Sequence, residues 1–214
     1  MPFATPAWDL ALFNALHFGL RGTVLDVLMP LVSSPLLLWA VVGGGLVLGL
    51  RHVSWQRRAV VLIALLATLG LTDGGTNIVK HSVGRVRPLN ALAGVHYHED
   101  GAWQQRPADY VQTKERGNSY PSAHAASSMA VACLLAFFWP RVRRSIWLLP
   151  LVVGFSRVYL AKHYPLDVGM GWLFGIGAAL ATCAVLLALG HGASVGADPS
   201  HDETSPEDGA APGA

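Results

Sequence analysis

The feature that most limits what this chain can fold into is a succession of long apolar stretches that carry few or no charges. They recur at about 35–50, 59–71, 125–139, 146–155 and 168–189. With its flanks, each approaches the roughly 20 residues a helix needs to cross the hydrocarbon core of a bilayer. A backbone in lipid must satisfy its own polar groups, so the expected fold is all-α: an integral membrane helical bundle of about five or six transmembrane helices. Composition points the same way, because 52% hydrophobic and 13% charged residues are unlike an ordinary soluble domain. Cys133 and Cys183 both fall inside apolar runs and are expected to be small packing residues. The N-terminus lacks the basic start, apolar centre and small-residue site of a cleaved signal peptide, so the first span is expected to direct its own insertion.

The chain divides by polarity. Residues 1–33 mix Leu, Phe and Val with Asp9, Asn14, His17, Arg21 and Asp26. That mixture is too polar to span and suits N-terminal interfacial helices, with a sixth span as the runner-up. Residues 34–190 hold the apolar runs, interrupted by a polar extramembrane loop at 84–120 that carries His96, His98 and Trp103. Residues 191–214 turn to Gly, Ala, Ser, Pro and acids and are expected to be a disordered acidic tail. Taking away the tail's five acids raises the formal charge from +2 to +7. A basic body of that kind suits an anionic substrate, and nothing in the pattern suggests nucleic acid.

Short loops rich in arginine set the orientation. Arg51, Arg57 and Arg58 lie between the first two runs, and Arg141, Arg143 and Arg144 between the third and fourth, with no acid in either loop. Those loops are expected on the cytoplasmic side. The opposite ends of the helices, where the motifs below meet, are then expected outside the cytoplasm. The pairs Gly45/Gly49 and Gly171/Gly175 read as close helix contacts. His96-Tyr97-His98-Glu99-Asp100 could chelate a cation, but polar loops often carry such runs, and no metal is assigned.

Three motifs converge on that face. The first is Lys80-His-Ser-Val-Gly-Arg-Val-Arg87-Pro88, where Lys80 and Arg87 share a helix face if the helix persists, so two cations can clasp one anion. The second is Ser119-Tyr-Pro-Ser122-Ala123-His124, which opens an apolar run. Ser122 is a suitable N-cap, and the free amides of a helix start form a phosphate cradle that His124 can reach as a general acid. The third is Ser156-Arg157-Val-Tyr-Leu-Ala-Lys-His163-Tyr-Pro165-Leu-Asp167. Arg157 offers a planar fork of donors, and Asp167 stands four residues beyond His163, where it can hold one ring nitrogen and leave the other as a nucleophile. Tyr159, Lys162 and Arg85 flank these motifs, the first two within reach of a headgroup. Asp73 and Asn77 precede Lys80 on the same helix and are candidates for a supporting role around the site, the alternative being a buried hydrogen bond that joins helices behind it.

Taken together, the motifs resemble the type 2 phosphatidic acid phosphatase family, in its bacterial membrane lipid phosphatase branch. That family shares its plan with class A acid phosphatases and vanadium haloperoxidases. Its pattern is Lys, six residues, Arg-Pro; then Pro-Ser-Gly-His; then Ser-Arg, five residues, His, three residues, Asp. The chain matches with Lys80 and Arg87-Pro88, with Pro121-Ser122-Ala123-His124, and with Ser156-Arg157, His163 and Asp167; it departs in carrying Ala123 where the family has Gly. The resemblance implies a membrane-embedded, metal-independent phosphoric or diphosphoric monoester hydrolase that needs no cofactor. Residues 34–190 would be its catalytic domain. His163 would attack phosphorus to give a phosphohistidine, Asp167 would orient it, and His124 would protonate the leaving group. Lys80, Arg87, Ser122, Ala123 and Arg157 would bind the phosphate. Candidate substrates are undecaprenyl pyrophosphate, phosphatidylglycerophosphate and phosphatidic acid, in a bacterial inner membrane. The alternatives are a lipid-phosphate binding or transport protein that keeps only the anion pocket, and a vanadate-dependent haloperoxidase-like enzyme.

Overall fold

A computed structural model describes residues 3–192. The acids of the tail, Asp198 to Asp208, lie outside them. Seven helices follow one another: α1 (Ala7–Gly19), α2 (Thr23–Val32), α3 (Pro35–Leu50), α4 (Trp55–Val83), α5 (Ala123–Phe138), α6 (Leu148–Tyr159) and α7 (Pro165–Ala188). The chain is an all-α integral membrane bundle with one small hairpin among the described residues. Among the same residues two segments are long and apolar enough to cross a membrane by themselves, 55–90, which contains α4, and α7. The helices α3, α5 and α6 are apolar but shorter, and α1 with α2 pass the same test only as a pair bent by 117°. Leu36, Val47, Ile63, Leu66, Leu173 and Leu180 stand exposed around the bundle, the surface expected of a protein bathed in lipid.

The helix ends are set by local chemistry. Gly84 takes a left-handed φ of 67° and returns its N–H to the Lys80 carbonyl, which stops α4 one turn after Lys80. The helical continuation that would have put Lys80 and Arg87 on one face is therefore absent. Arg87 is extended instead, as expected of a residue that precedes proline. Helix α5 begins after Ser122, and α7 begins with Pro165 at its first position while the Asp167 carboxylate accepts the Tyr164 N–H at 2.9 Å.

The core is double. A lower cluster joins α3, α4, α5 and α7 through Leu46, Val61, Leu65, Val131, Leu134 and Leu186. An upper one joins α1, α5, α6 and α7 beneath the polar face through Phe13, Ala125, Val158, Tyr164 and Val168. Thr68 of α4 donates to Thr182 of α7 at 2.7 Å, a polar tie inside the apolar bundle. The closest helix contact is α5 against α7. A Cβ built on Gly171 would come 2.4 Å from the Ser122 carbonyl oxygen, and one on Gly175 would come 2.2 Å from that of Ala126. The other glycine pair behaves differently: Gly49 meets only the Trp139 ring, and Gly45 has open space.

Helix α1 turns two of its polar side chains into the protein, where Asp9 and His17 are fully buried, and leaves Asn14 exposed. The His17 Nδ1–H donates to the Tyr159 carbonyl at 2.9 Å, and Nε2 accepts the His96 N–H at 3.1 Å. One imidazole thus ties α1 to the end of α6 and to the hairpin. Tyr159 is buried as well, its hydroxyl donating to Asp26 at 2.7 Å, which takes it out of reach of any headgroup.

Within the polar loop, β1 (His96–Glu99) pairs antiparallel with β2 (Ala102–Gln105), with Glu99 opposite Ala102. The connecting Asp100 and Gly101 have φ of 52° and 78°, the two positive values that a tight hairpin turn needs. The Asp-Gly dipeptide was a legible signal for this hairpin, which the reading of 84–120 as a plain loop passes over.

The contact between α5 and α7 makes one expectation quantitative. Gly175→Val should cost about 2–3 kcal/mol or more, since the new side chain meets backbone atoms that cannot move aside. Gly177→Ala, with nothing within 4 Å, should be close to neutral. Thermal unfolding of the detergent-purified variants separates the two.

Candidate active site

The site forms where α4 and α6 end and α5 and α7 begin. Lys80 occupies the last turn of α4, and Arg87 follows in the extended strand beyond Gly84. Ser122, Ala123 and His124 make the start of α5, Arg157 the last turn of α6, His163 the connection to α7, and Asp167 the first turn of α7. Short backbone bonds lock the connections together. The Ser122 N–H donates to the Asp167 carbonyl at 2.9 Å, Leu89 N–H to Ala161 at 2.9 Å, and Gly117 N–H to Gly84 at 2.9 Å.

The cations are within electrostatic range of one another and of the two histidines. Lys80 senses Arg87 and Arg157, and His124 senses Arg157, His163, Lys162 and Lys80. The Nε atoms of Arg87 and Arg157 are buried with no hydrogen-bond partner among the described residues, which makes them donors available to an oxyanion. Arg157 is positioned from behind by a short hydrogen bond from Nη1 to the Ser33 hydroxyl, at the end of α2. Next to these groups opens a basic cavity of about 500 Å³ lined by Lys80, His81, Arg87, Asn90, Lys114 and Arg116.

His163 is only 2% exposed, and its Nδ1 lies 2.7 Å from the carbonyl oxygen of Ser119. Asp167 Oδ2 is farther from that nitrogen, at 3.7 Å. The direct bond expected from Asp167 to the ring therefore runs through Ser119, because Oδ2 is already engaged by the Ser119 hydroxyl at 2.5 Å and the Tyr164 N–H. The tautomer follows from this geometry, since a carbonyl can only accept: the proton sits on Nδ1, and Nε2 keeps its lone pair. Burial pushes the imidazole down to about 4, with Asp167 opposing and the charges of Arg157 and Arg87 adding to the fall. The ring is thus held neutral near neutral pH, with the Nε2 lone pair free. Lys162, on the same connection, is pushed downward by its own burial and by Arg157 and Arg87.

Asp73 and Asn77, seven and three residues before Lys80, stand exposed on the Lys80 side of α4, and neither side chain makes a buried hydrogen bond among the described residues. Asp73 acts on Lys80 only through its charge. Conversely, Ser119, Ser33, Arg85 and Asp9 support the site and were given no such part in the sequence reading. Ser119 and Arg85 lie inside two of the motifs. Ser33 and Asp9 carried no local signal at all.

A polar cluster of cations, a helix start and a neutral buried histidine at one end of a membrane bundle defines a class, the oxyanion sites of helical membrane proteins. Residues 61–190 match the model of the PAP2 superfamily, and the chain belongs to that family. It is 31% identical over 114 residues to a lipid A 1-phosphatase of Rhizobium johnstonii, covering 53% of this chain and 43% of that protein. It is 32% identical over 102 residues to an undecaprenyl-diphosphatase of Sulfolobus acidocaldarius, covering 46% and 42% respectively. The match thus spans less than half the length of these relatives. In fold the chain is similar to LpxE of Aquifex aeolicus, with a TM-score of 0.65 at 21% identity, covering 86% of this chain and 99% of that one. It is also similar to a PAP2-type phosphatidylglycerolphosphate phosphatase of Bacillus subtilis, with a TM-score of 0.56 at 22% identity and 86% of each chain covered.

Burial of His163 has a consequence for stability. The folded ring resists protonation down to about pH 4, whereas an unfolded histidine titrates near 6.5, so between these values the unfolded chain binds more protons. Stability contributed at this position is full above about 6.5 and is lost as pH falls towards 4, by up to ~3 kcal/mol. His163→Asn, which cannot titrate, should show a shallower acid decline of the unfolding midpoint than the unsubstituted protein across that window.

Proposed function

We propose that this chain is a membrane-embedded phosphatase that hydrolyses a lipid-linked phosphate or pyrophosphate through a phosphohistidine on His163. The observation that carries the reading is the His163 ring held by Nδ1 against a carbonyl, with Nε2 unprotonated among unpartnered arginine donors. Membership of the family and the names of its relatives support the same reading.

In this mechanism the phosphoryl oxygens lie against Lys80, Arg87 and Arg157, with the Ser122 side chain and the free amides from Ala123 onward at the start of α5 adding donors. His163 Nε2 attacks in line. The P–N bond forms as the P–O bond to the lipid breaks, and His124 gives its proton to the departing oxygen. His124, now a base, takes a proton from water, whose oxygen attacks phosphorus and breaks the P–N bond. Inorganic phosphate leaves and both imidazoles are restored. We assign no metal to the reaction, since three cations and a helix start supply the charge stabilisation that metal ions provide in other phosphoryl transfers.

The substrate class follows from where the site lies. A polar pocket at the helix ends admits a charged headgroup while the acyl or prenyl tail stays in lipid. The basic cavity beside Lys80 and Arg87 favours headgroups with more than one negative charge. Undecaprenyl pyrophosphate, phosphatidylglycerophosphate and phosphatidic acid remain the candidates. Residues 34–190 form the catalytic body in this proposal, with 1–33 packed over it.

Two measurements test the reading. Purified protein in detergent should release phosphate from a panel of these lipids after chelator treatment. His163→Ala should cut the rate by at least ~10³-fold and His124→Ala by about 10²–10⁴-fold. Quenching wild type with labelled substrate should trap an acid-labile phosphoryl group on His163. Equal rates for wild type and His163→Ala would sink the mechanism; binding of all lipids without release would favour a carrier; vanadate-dependent peroxide chemistry would favour a haloperoxidase.

We further propose that the site faces away from the cytoplasm, on the strength of the arginine loops at the other end of the helices. With Cys133 and Cys183 replaced by Ala, Gln105→Cys should react with an impermeant thiol reagent in intact cells. Labelling only after lysis would reverse the orientation.

A further inference from the structure

Helix α1 sends a carboxylate into the site from outside the segment that the family model covers, 61–190. Asp9 is fully buried. Its Oδ2 accepts Arg85 Nη2 at 2.5 Å, and its Oδ1 accepts the Leu166 N–H at 2.8 Å. Arg85 is 1% exposed and turns its other terminal nitrogen, Nη1, to Asp167 Oδ1 at 2.6 Å. The guanidinium also lies 3.9 Å from the centre of the Tyr164 ring and donates to Thr5 Oγ1 at 3.2 Å.

We propose that Asp9 and Arg85 are positioning residues for the nucleophile, holding the Asp167–Ser119–His163 relay in the geometry that aims His163 Nε2. The proposal rests on the assignment of His163 as that nucleophile. The links are continuous. Arg85 holds Asp167; Asp167 Oδ2 accepts the Ser119 hydroxyl at 2.5 Å; the Ser119 carbonyl accepts His163 Nδ1–H at 2.7 Å. Arg85 grips Ser119 a second time, because its own carbonyl accepts the Ser119 N–H at 2.9 Å. Both ends of Ser119 are therefore set by one arginine.

Asp9 makes that arginine rigid. A guanidinium offers its donors in a fixed plane, and engaging two of its nitrogens with two different carboxylates fixes that plane. Asp9 also holds the Leu166 amide, the residue just before Asp167, so it fixes the start of α7 and the arginine that reads it. The two acids leave one net negative charge on the buried trio, facing the cation cluster.

None of these contacts involves Lys80, Arg87 or Arg157, so aim and affinity should be separable. The test uses full-length protein in detergent and reads kcat, KM, inhibition by inorganic phosphate and the thermal midpoint. Asp9→Asn should lower kcat about 10–100-fold, as small misalignments of a nucleophile do, while the inhibition constant for phosphate stays within about threefold. Asp9→Glu should recover part of the rate, and Arg85→Lys, which keeps the charge but loses the fork, should behave like Asp9→Asn. Thr5→Val, which removes a single bond to Arg85, should show the same split at about two- to fivefold, and it serves if the Asp9 variants do not fold.

Nitrogen spectra of labelled histidine supply a readout independent of turnover. His163 should be a single Nδ1–H tautomer in the unsubstituted protein and a mixture in Asp9→Asn. A wild-type kcat and an unchanged tautomer in a variant with a lowered midpoint would show that Asp9 only stabilises the fold and overturn the proposal. A parallel loss of kcat and phosphate affinity would overturn it too, by showing collapse of the site. Absence of phosphate release from the unsubstituted protein would count against the phosphatase reading, and the tautomer comparison would still decide the role of Asp9.

Discussion

The Asp167 carboxylate is a full negative charge sealed inside a membrane bundle, where an unpaired ion is among the costliest things a fold can contain. It is tolerated because its lone pairs are occupied. Oδ1 takes Arg85, while Oδ2 takes the Ser119 hydroxyl and the Tyr164 amide. Each donor belongs to a different connection: the stretch after α4, the stretch before α5, and the turn before α7. The requirement that this one carboxylate be satisfied therefore fixes the mutual placement of three chain segments. The polar face is a by-product of that requirement as much as of apolar packing.

The same arrangement explains how a cluster of cations can be held together. Lys80, Arg87, Arg157 and Lys162 lie within electrostatic reach of one another and repel. Asp167 and Asp9 stand behind the cluster but are committed to Arg85 rather than to the other cations. The Nε groups of Arg87 and Arg157 thus stay unpartnered among the described residues, and on the function proposed above an entering phosphate would relieve repulsion as well as form bonds. Had Asp167 paired directly with Arg157, the protein would be more comfortable and the anion less welcome.

Much of this was legible in the sequence. The apolar runs marked the five helices α3 to α7, and the residues of the three motifs come together at one end of the bundle, because they lie at helix ends whose order along the chain forces them onto one face. What escaped has a physical pattern. Asp9 and Ser33 act through contacts to residues 76 and 124 positions away, and no local spacing encodes such a pair. Asp73 and Asn77 stand exposed on the Lys80 side of α4, and an acid in an apolar run does not by itself say how deeply its side chain is buried. The relay through Ser119 was hidden for a different reason: a backbone carbonyl has no side-chain signature, and the i to i+4 spacing of His163 and Asp167 suggested a direct bond that the occupied Oδ2 does not make.

The two glycines of α7 join the packing to the chemistry. Gly171 lies where any side chain would strike the Ser122 carbonyl and the Ala125 methyl, so α7 can approach α5 only there and at Gly175. That approach lets the Ser122 N–H reach the Asp167 carbonyl, one turn before Gly171, and so sets the start of α5 against the start of α7. Ser122 to His124 and Asp167 are therefore in register because two backbones touch, a tolerance tighter than side-chain packing alone could supply. Reading the pair as helix packing was sound as far as it went. In this fold, though, the packing surface runs into the polar face without a break, and a methyl group at 171 would change the distance between the start of α5 and the Asp167 carboxylate.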